Sequence, residues 1–228
     1  MKAPKKATRV LGIAFLLQFV TSFSSGVFVK AAWFVEGDMG ETMLKIAANP
    51  LLFRANIFLD MLTALGVSFL GVILYITLRK QNEKIALTAL GFYWLEVALL
   101  AVSRMDAFSL LQLSHEYASS AQSTTLLLLG QIAYDSMDFV GNTLHMLAFC
   151  FGGILFYYLL FKSGVVPRWM SLWGLIAIFP MLAGTFAQML GYSIPFSFYL
   201  PYVPFELVIG FWILFKGINV DVTEEVRS

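Results

Sequence analysis

Six long runs of apolar residues, separated by shorter polar segments, dominate the pattern of the chain. A membrane-spanning helix needs about 20 mostly apolar residues to cross about 30 Å of hydrocarbon. Barrel strands, the other structure that satisfies the backbone in lipid, would show an alternation that these runs lack. The pattern therefore predicts an all-α, polytopic transmembrane bundle, a single domain over residues 1–228, with six spans at residues 10–29, 51–78, 85–105, 139–161, 169–190 and 201–218.

The basic residues are distributed unevenly between these spans. If the chain crosses six times, eleven of the 15 Lys and Arg residues fall on one side, and only Lys30, Lys45, Arg54 and Arg104 fall on the other. Because basic residues are enriched in cytoplasmic loops, the pattern predicts that both termini are cytoplasmic. We call the opposite side the outer side. The first apolar run is longer than that of a secretory signal peptide, which favours an uncleaved first span.

The two longest outer connections are predicted to contain extra interfacial helices, at residues 38–49 and 120–137. Asp38 and Glu41 have the spacing of a capping box, and Met43 and Ile46 lie on one helical face. The second connection combines an extension of the third helix, a Ser-rich turn and a helix that leads into the fourth span.

The composition agrees with a membrane protein and excludes several other classes. Apolar residues make up 59% of the chain and charged residues 13%, against about 25% in soluble domains. Mean hydropathy is +0.80. The net charge of +1 gives no sign of a nucleic-acid partner, and Cys150 is the single cysteine. Phosphate-binding glycine loops are absent, and with only His115 and His145 we expect no metal site, haem or other cofactor.

Acidic residues lie deep inside two predicted spans. Counted from the outer end at 1.5 Å per residue, Asp60 and Glu96 are each about 14 Å deep, near the midplane. No basic residue is expected at their depth, since Arg54 and Arg104 lie close to the outer boundary. If the two carboxyl groups face each other, they would share a proton, because adjacent carboxylates cannot both ionise in a low dielectric.

The fourth helix carries a polar stripe, in which Asp138, Asn142 and His145 follow Gln131 and Asp135 at helical spacing.

His145 is expected about 9 Å deep, near the level of Glu206 on the last helix, which is expected about 7 Å deep. These residues predict an outward-facing polar pocket between the second, third, fourth and sixth spans. Its candidate ligand-binding or proton-relay residues are Asp60, Glu96, Asp138, Asn142, His145, Glu206, Arg54 and Arg104.

Each candidate also has a structural interpretation. Arg54 and Arg104 can extend to the headgroups. His145 can be held by a hydrogen bond between helices, and buried acids can serve the same purpose. Gln131 and Asp135 are expected to face water.

Three local signatures resemble a known family. They are Thr8-Arg9-Val10-Leu11-Gly12, then Phe161-Lys162-Ser163-Gly164-Val165-Val166-Pro167-Arg168-Trp169 with Leu172-Trp173-Gly174-Leu175, and finally Pro204-Phe205-Glu206-Leu207 with Gly210-Phe211-Trp212 and Lys216-Gly217. The chain resembles, over essentially its whole length, the bacterial integral-membrane family catalogued as domain of unknown function 4386. The resemblance implies a six- or seven-span protein of the bacterial inner membrane, marks Glu206 as a motif residue, and supplies no mechanism.

Three functions remain open from the sequence. The first is binding or transport of a small ligand in the outward-facing pocket. The second is an accessory or scaffold subunit that pairs with another membrane protein. The third is a membrane-embedded enzyme acting on a lipid-like substrate, with His145 or Glu206 as general base. Expected partners are the lipid bilayer, a small molecule, and either a second copy of the chain or another membrane protein.

Overall fold

The computed structural model describes residues 5–219, and the side chains of residues 9–195 and 197–219. This part of the chain is helical and contains no strand. The α-helices are α1 (Lys5–Phe23), α2 (Lys30–Trp33), α3 (Met39–Ala48), α4 (Pro50–Leu78), α5 (Glu83–Ser119), α6 (Thr124–Asp138), α7 (His145–Ser163), α8 (Arg168–Met189) and α9 (Val203–Lys216). A first π segment (Ser24–Val29) joins α1 to α2, a second π segment (Phe139–Leu144) joins α6 to α7, and a 3-10 turn (Phe196–Phe198) precedes α9.

Five helical segments within residues 5–219 are long and apolar enough to cross a membrane. They are Arg9–Trp33, Pro50–Leu78, Glu83–Ser119, Thr124–Ser163 and Arg168–Met189. The protein is therefore a multi-pass membrane protein by the length and composition of its helices.

The last predicted span, at residues 201–218, differs from the other five. Its helix α9 has 14 residues, which at 1.5 Å per residue gives about 21 Å, less than the thickness of the hydrocarbon. The chain after α9 nevertheless reaches the α7–α8 connection, where the Asn219 backbone N–H donates to the Val165 carbonyl at 2.9 Å.

The predicted outer helix at residues 120–137 is not a separate element. Helix α6 continues through the second π segment into α7, because residues 131–140 contain neither Gly nor Pro to end it. Helix α5 likewise extends to Ser119, as the sequence predicts, so its 37 residues reach about 55 Å. Both helices therefore project well beyond the membrane at one end of the bundle.

The short helix α3 forms where the sequence predicts it. The Asp38 side chain caps its first turn by accepting from the Glu41 backbone N–H at 2.8 Å. Its apolar face does not lie against lipid, however, because Met43 and Ile46 are fully buried against the extensions of α5 and α6. We call this end of the bundle the α3 end.

Two apolar cores lie along the bundle, with a polar layer between them. On α4, Phe53 belongs to the core at the α3 end and Val67 belongs to the other core, which we call the main core. On α5, Ala107 belongs to the core at the α3 end and Tyr93 to the main core. Asn56 and Asp60 on α4 and Glu96 and Arg104 on α5 fall in the intervals, and these residues line the cavities described next.

Candidate functional site

A cavity with a volume of about 440 Å³ lies within the polar layer. Its walls come from α1 and the first π segment, α5, the second π segment with α7, α8, and the chain that leads into α9. We call it the main cavity. Its polar lining residues are Gln18, Ser22, Lys30, Glu96, Asp138, Asn142, His145, Gln188, Tyr199, Tyr202 and Glu206.

Both π segments contribute lining residues to this cavity. Gly26 and Val27 contribute from the first, and Asn142 contributes from the second. A π turn is wider than an α turn and is frequently found at functional sites. Ser22, Gly26 and Val27 line the cavity and are also exposed. The cavity therefore opens past this part of the first helix.

Three residues that line the main cavity have a buried polar atom without a partner in the described part of the chain. The side chain of Glu96 is only 3% exposed and that of Gln18 only 6%. Glu96 Oε2, Gln18 Oε1 and His145 Nδ1 are all buried, and none of them has a hydrogen-bond partner within the described part of the chain. Buried polar groups are nearly always hydrogen-bonded in proteins, so these three atoms are suited to contact a ligand.

Glu206 is held by a chain of tyrosine hydroxyls. The Tyr202 hydroxyl donates to Glu206 Oε1 at 3.1 Å, and the hydroxyls of Tyr202 and Tyr157 share a hydrogen bond. Glu206 lies in the first turn of α9, where the helix dipole favours a negative charge. The carboxyl group therefore has a fixed position and orientation at the wall of the cavity.

An ion pair lies at the rim of the cavity. Lys30 Nζ is 3.1 Å from Asp138 Oδ1, and the two side chains remain 27% and 39% exposed. Asn142 donates to the same aspartate oxygen, and Lys30 lies over the rings of Phe34 and Tyr134 at 5.1 and 5.6 Å from their centroids. The Lys30 charge is thus already neutralised within the protein.

Tyr199 and Gln188 form a further polar contact on the wall near α9, where the Tyr199 hydroxyl donates to Gln188 Oε1 at 3.2 Å. Tyr199 precedes α9 and lies outside the spanning helices. Burial raises the pKa of its hydroxyl above the ordinary value. The group is therefore protonated at neutral pH and remains a donor.

A second, smaller cavity of about 70 Å³ shares Gly26, Lys30, Asp138 and Asn142 with the main cavity. We call it the side cavity.

Asp60 and Arg104 form an ion pair within the side cavity, and Ser25 donates to the same aspartate. Asn56 donates to Asp60 at 3.2 Å and accepts from the indole N–H of Trp33 at 2.7 Å. This network ties α2 and the first π segment to α4 and α5.

The structure places the predicted site residues in three groups. Glu96, Asp138, Asn142, His145 and Glu206 line the main cavity.

Two further predicted residues, Asp60 and Arg104, line the side cavity instead. The expectation that Asp60 has no cation at its depth is wrong, because Arg104 on α5 pairs with Asp60. Arg54 lies outside both cavities and is exposed on α4.

The predicted walls also need correction. The pocket was expected between the second, third, fourth and sixth spans, but α4 contributes no residue to the main cavity. The first helical segment takes its place and contributes Gln18 from α1, Gly26 from the π segment and Lys30 from α2. Gln131 and Asp135 hydrogen-bond to each other at 2.8 Å and do not line it.

Sequence reasoning missed Gln18, Tyr202 and Lys30 as site residues. Gln18 carries an available signal, since it is a large amide inside the first apolar run. The sequence marks Lys30 only as an outer basic residue. Their roles depend on which helix faces meet, which composition does not show.

A metal centre is not supported in the part of the chain that is described. Among residues 5–219, no three or more His, Cys, Asp or Glu side chains are grouped so that they could hold a metal ion. The lining chemistry suits an organic ligand or a proton.

Comparison with known proteins gives a family but no activity. No curated protein and no solved structure matches the chain. The sequence model described as domain of unknown function (DUF4386) matches residues 10–217, which include every wall of the main cavity. The chain therefore belongs to the DUF4386 family of unknown function.

Proposed function

We propose that this protein binds a small ligand in the main cavity, within a bacterial inner membrane and with both termini in the cytoplasm. The observation that carries the proposal is that three residues lining one cavity, Gln18, Glu96 and His145, each have a buried polar atom without a hydrogen-bond partner among the described residues. Leaving such groups unsatisfied costs about 1–3 kcal/mol each, which a ligand that contacts them would recover.

The size and composition of the cavity support the same function. Its volume of about 440 Å³ falls within the 300–1,000 Å³ that is usual for small-molecule sites. Apolar and aromatic side chains, including Phe19, Phe23 and Phe149, form much of the wall around a few polar groups. This is the usual construction of a site for an organic molecule.

The access route also supports a ligand that moves between the cavity and the membrane. The exposed residues at the opening, Ser22, Gly26 and Val27, belong to the apolar segment Arg9–Trp33. A ligand would therefore pass the first helix from the bilayer or its outer interface. Transport would additionally require the cavity to open at the end of the bundle opposite α3.

A steric variant at Gly26 tests the proposal. A Cβ atom at Gly26 meets no atom within 4 Å, so a large side chain there can fill the opening without disturbing packing. We expect Gly26→Trp to abolish small-molecule adducts seen by native mass spectrometry of protein extracted in a mild detergent. Gly91→Trp is the matched control, because Gly91 is equally open, exposed on α5 and remote from the cavity.

The two variants separate occlusion from a general effect of tryptophan. Adducts that persist in Gly26→Trp, or a wild-type protein without any adduct, would count against binding in this cavity. Loss of adducts in both variants would also contradict the proposed position of the site.

A further inference from the structure

The acidic side chains of the main cavity outnumber the cations available to them. Lys30 is paired with Asp138, and Arg104 in the side cavity is paired with Asp60. Glu96 and Glu206 form no ion pair among the described residues. Both carboxyl groups belong to residues that line the main cavity. The main cavity thus carries two buried carboxyl groups without a positive partner.

A second observation shows that this is more than an acidic cluster. Gln18 lines the cavity and is only 6% exposed, and its Oε1 atom has no hydrogen-bond partner among the described residues. Together with Glu96 Oε2 it offers a second acceptor from a different helix. A primary ammonium has three donors and no acceptor, so it matches acceptors on Gln18, Glu96 and Glu206.

The remaining wall fits the apolar body of such a molecule. The rings of Phe149 and Tyr202 pack edge to face with centroids 5.3 Å apart, and Phe19 and Phe23 stack at 5.4 Å on the first helix. All four rings line the cavity. Aromatic faces attract cations as well as apolar groups. The opening lies along an apolar helix, which favours a molecule that partitions into the membrane.

Resting on the proposed function, we propose that the ligand is an amphiphilic primary ammonium whose charged head lies between Glu96 and Glu206. One ammonium and one proton shared by the two carboxyl groups leave the occupied cavity electrically neutral. Gln18 accepts the third ammonium hydrogen, and the aromatic wall covers the apolar body. No bond forms or breaks on binding.

Three probes with the same apolar body test the charge preference. They are phenylbutylammonium, phenylbutanol and phenylbutanoate, titrated calorimetrically into the full chain in lipid nanodiscs, with empty nanodiscs as background. We expect the ammonium to bind at least about tenfold more tightly than the alcohol or the carboxylate, where tenfold corresponds to about 1.4 kcal/mol. This comparison uses the wild-type protein and does not depend on any variant folding.

Two isosteric variants test the residues. Glu96→Gln and Glu206→Gln are each expected to weaken phenylbutylammonium binding about tenfold or more while leaving phenylbutanol binding unchanged within about twofold. Glu116→Gln is the matched control, since Glu116 lies on the same helix as Glu96 but is exposed and outside the cavity. It should bind all three probes as the wild type does.

The outcomes distinguish this inference from the proposed function. Equal binding of all three probes, or preference for phenylbutanoate, with binding lost in Gly26→Trp, would overturn the ammonium class and leave ligand binding intact. Failure of all three probes to bind would overturn both. Unchanged phenylbutylammonium affinity in both glutamine variants would contradict the position of the ammonium head between Glu96 and Glu206.

Discussion

At the scale of single residues, partners decide what a buried charge does. Asp60 and Arg104 are separated by 44 positions in the sequence, yet their side chains pair and remain only 18% and 14% exposed. Removing one member of a buried pair leaves the other charge uncompensated, which is more harmful than removing both. Asp60 therefore has a structural role in joining α4 to α5, unlike Glu96 and Glu206.

We expect Asp60→Asn to lower the free energy of unfolding by about 2–3 kcal/mol, slightly less than for a fully buried pair because water reaches part of both groups. The double variant Asp60→Asn/Arg104→Met should recover most of that loss, since no charge is left unpaired. Titration with sodium dodecyl sulfate from a mild detergent, followed by circular dichroism, measures both.

Arg54→Gln serves as the control for this pair. Arg54 is exposed and contributes to neither cavity, so its replacement should change stability by less than about 0.5 kcal/mol. A double variant less stable than Asp60→Asn would contradict the structural role of the ion pair.

At the scale of helices, close approach of backbones fixes the walls of the site. A Cβ atom at Gly12 would lie 2.6 Å from the Leu214 backbone nitrogen and 2.8 Å from the Gly210 carbonyl oxygen. Helices α1 and α9 can therefore touch only because position 12 has no side chain, as is common in membrane bundles. This contact sets Gln18 and Glu206 on neighbouring walls of the main cavity.

Gly12→Ala should reduce the free energy of unfolding by about 1–3 kcal/mol, because the obstructing atoms belong to the backbone and cannot rotate away. Gly91→Ala, where a Cβ meets no atom within 4 Å, should instead raise stability by about 0.5–1 kcal/mol through helix propensity. The same detergent titration compares the two variants. Helix propensity alone would change the stability of both variants in the same direction, so equal changes would contradict the close contact at Gly12.

At the scale of the whole molecule, the open question is how many times the chain crosses the membrane. The α9 helix is short, but Asn219 hydrogen-bonds to Val165 in the α7–α8 connection. Residue 219 therefore lies level with that connection. This contact, together with the distribution of Lys and Arg, supports six crossings.

We expect a membrane-impermeant maleimide to label Ser120→Cys and Tyr192→Cys in intact cells, and Arg79→Cys and Asn219→Cys only after permeabilisation. All four positions are exposed. The experiment uses a Cys150→Ala background, although Cys150 is itself fully buried. Labelling of Asn219→Cys in intact cells would show that α9 returns to the outer side and that the chain crosses five times.

The long helices and their polar interruptions could be predicted because hydrophobicity along a helix is a local property. The end of α5 at Ser119 and the cap of α3 at Asp38 also follow from neighbouring residues. The polar stripe was harder, since a π segment at Phe139–Leu144 breaks the 3.6-residue period on which it was based.

The sequence alone determined that this is a helical membrane protein of the DUF4386 family with acids inside its spans, because apolar length and charge placement are read residue by residue. Tertiary structure decided the partners. Arg104 pairs with Asp60, whereas Glu96, Gln18 and Glu206 line one cavity. The first helix, and not α4, forms a wall of that cavity. Those choices depend on the rotation of each helix about its axis, which close glycine contacts and π turns set and which no single helix encodes.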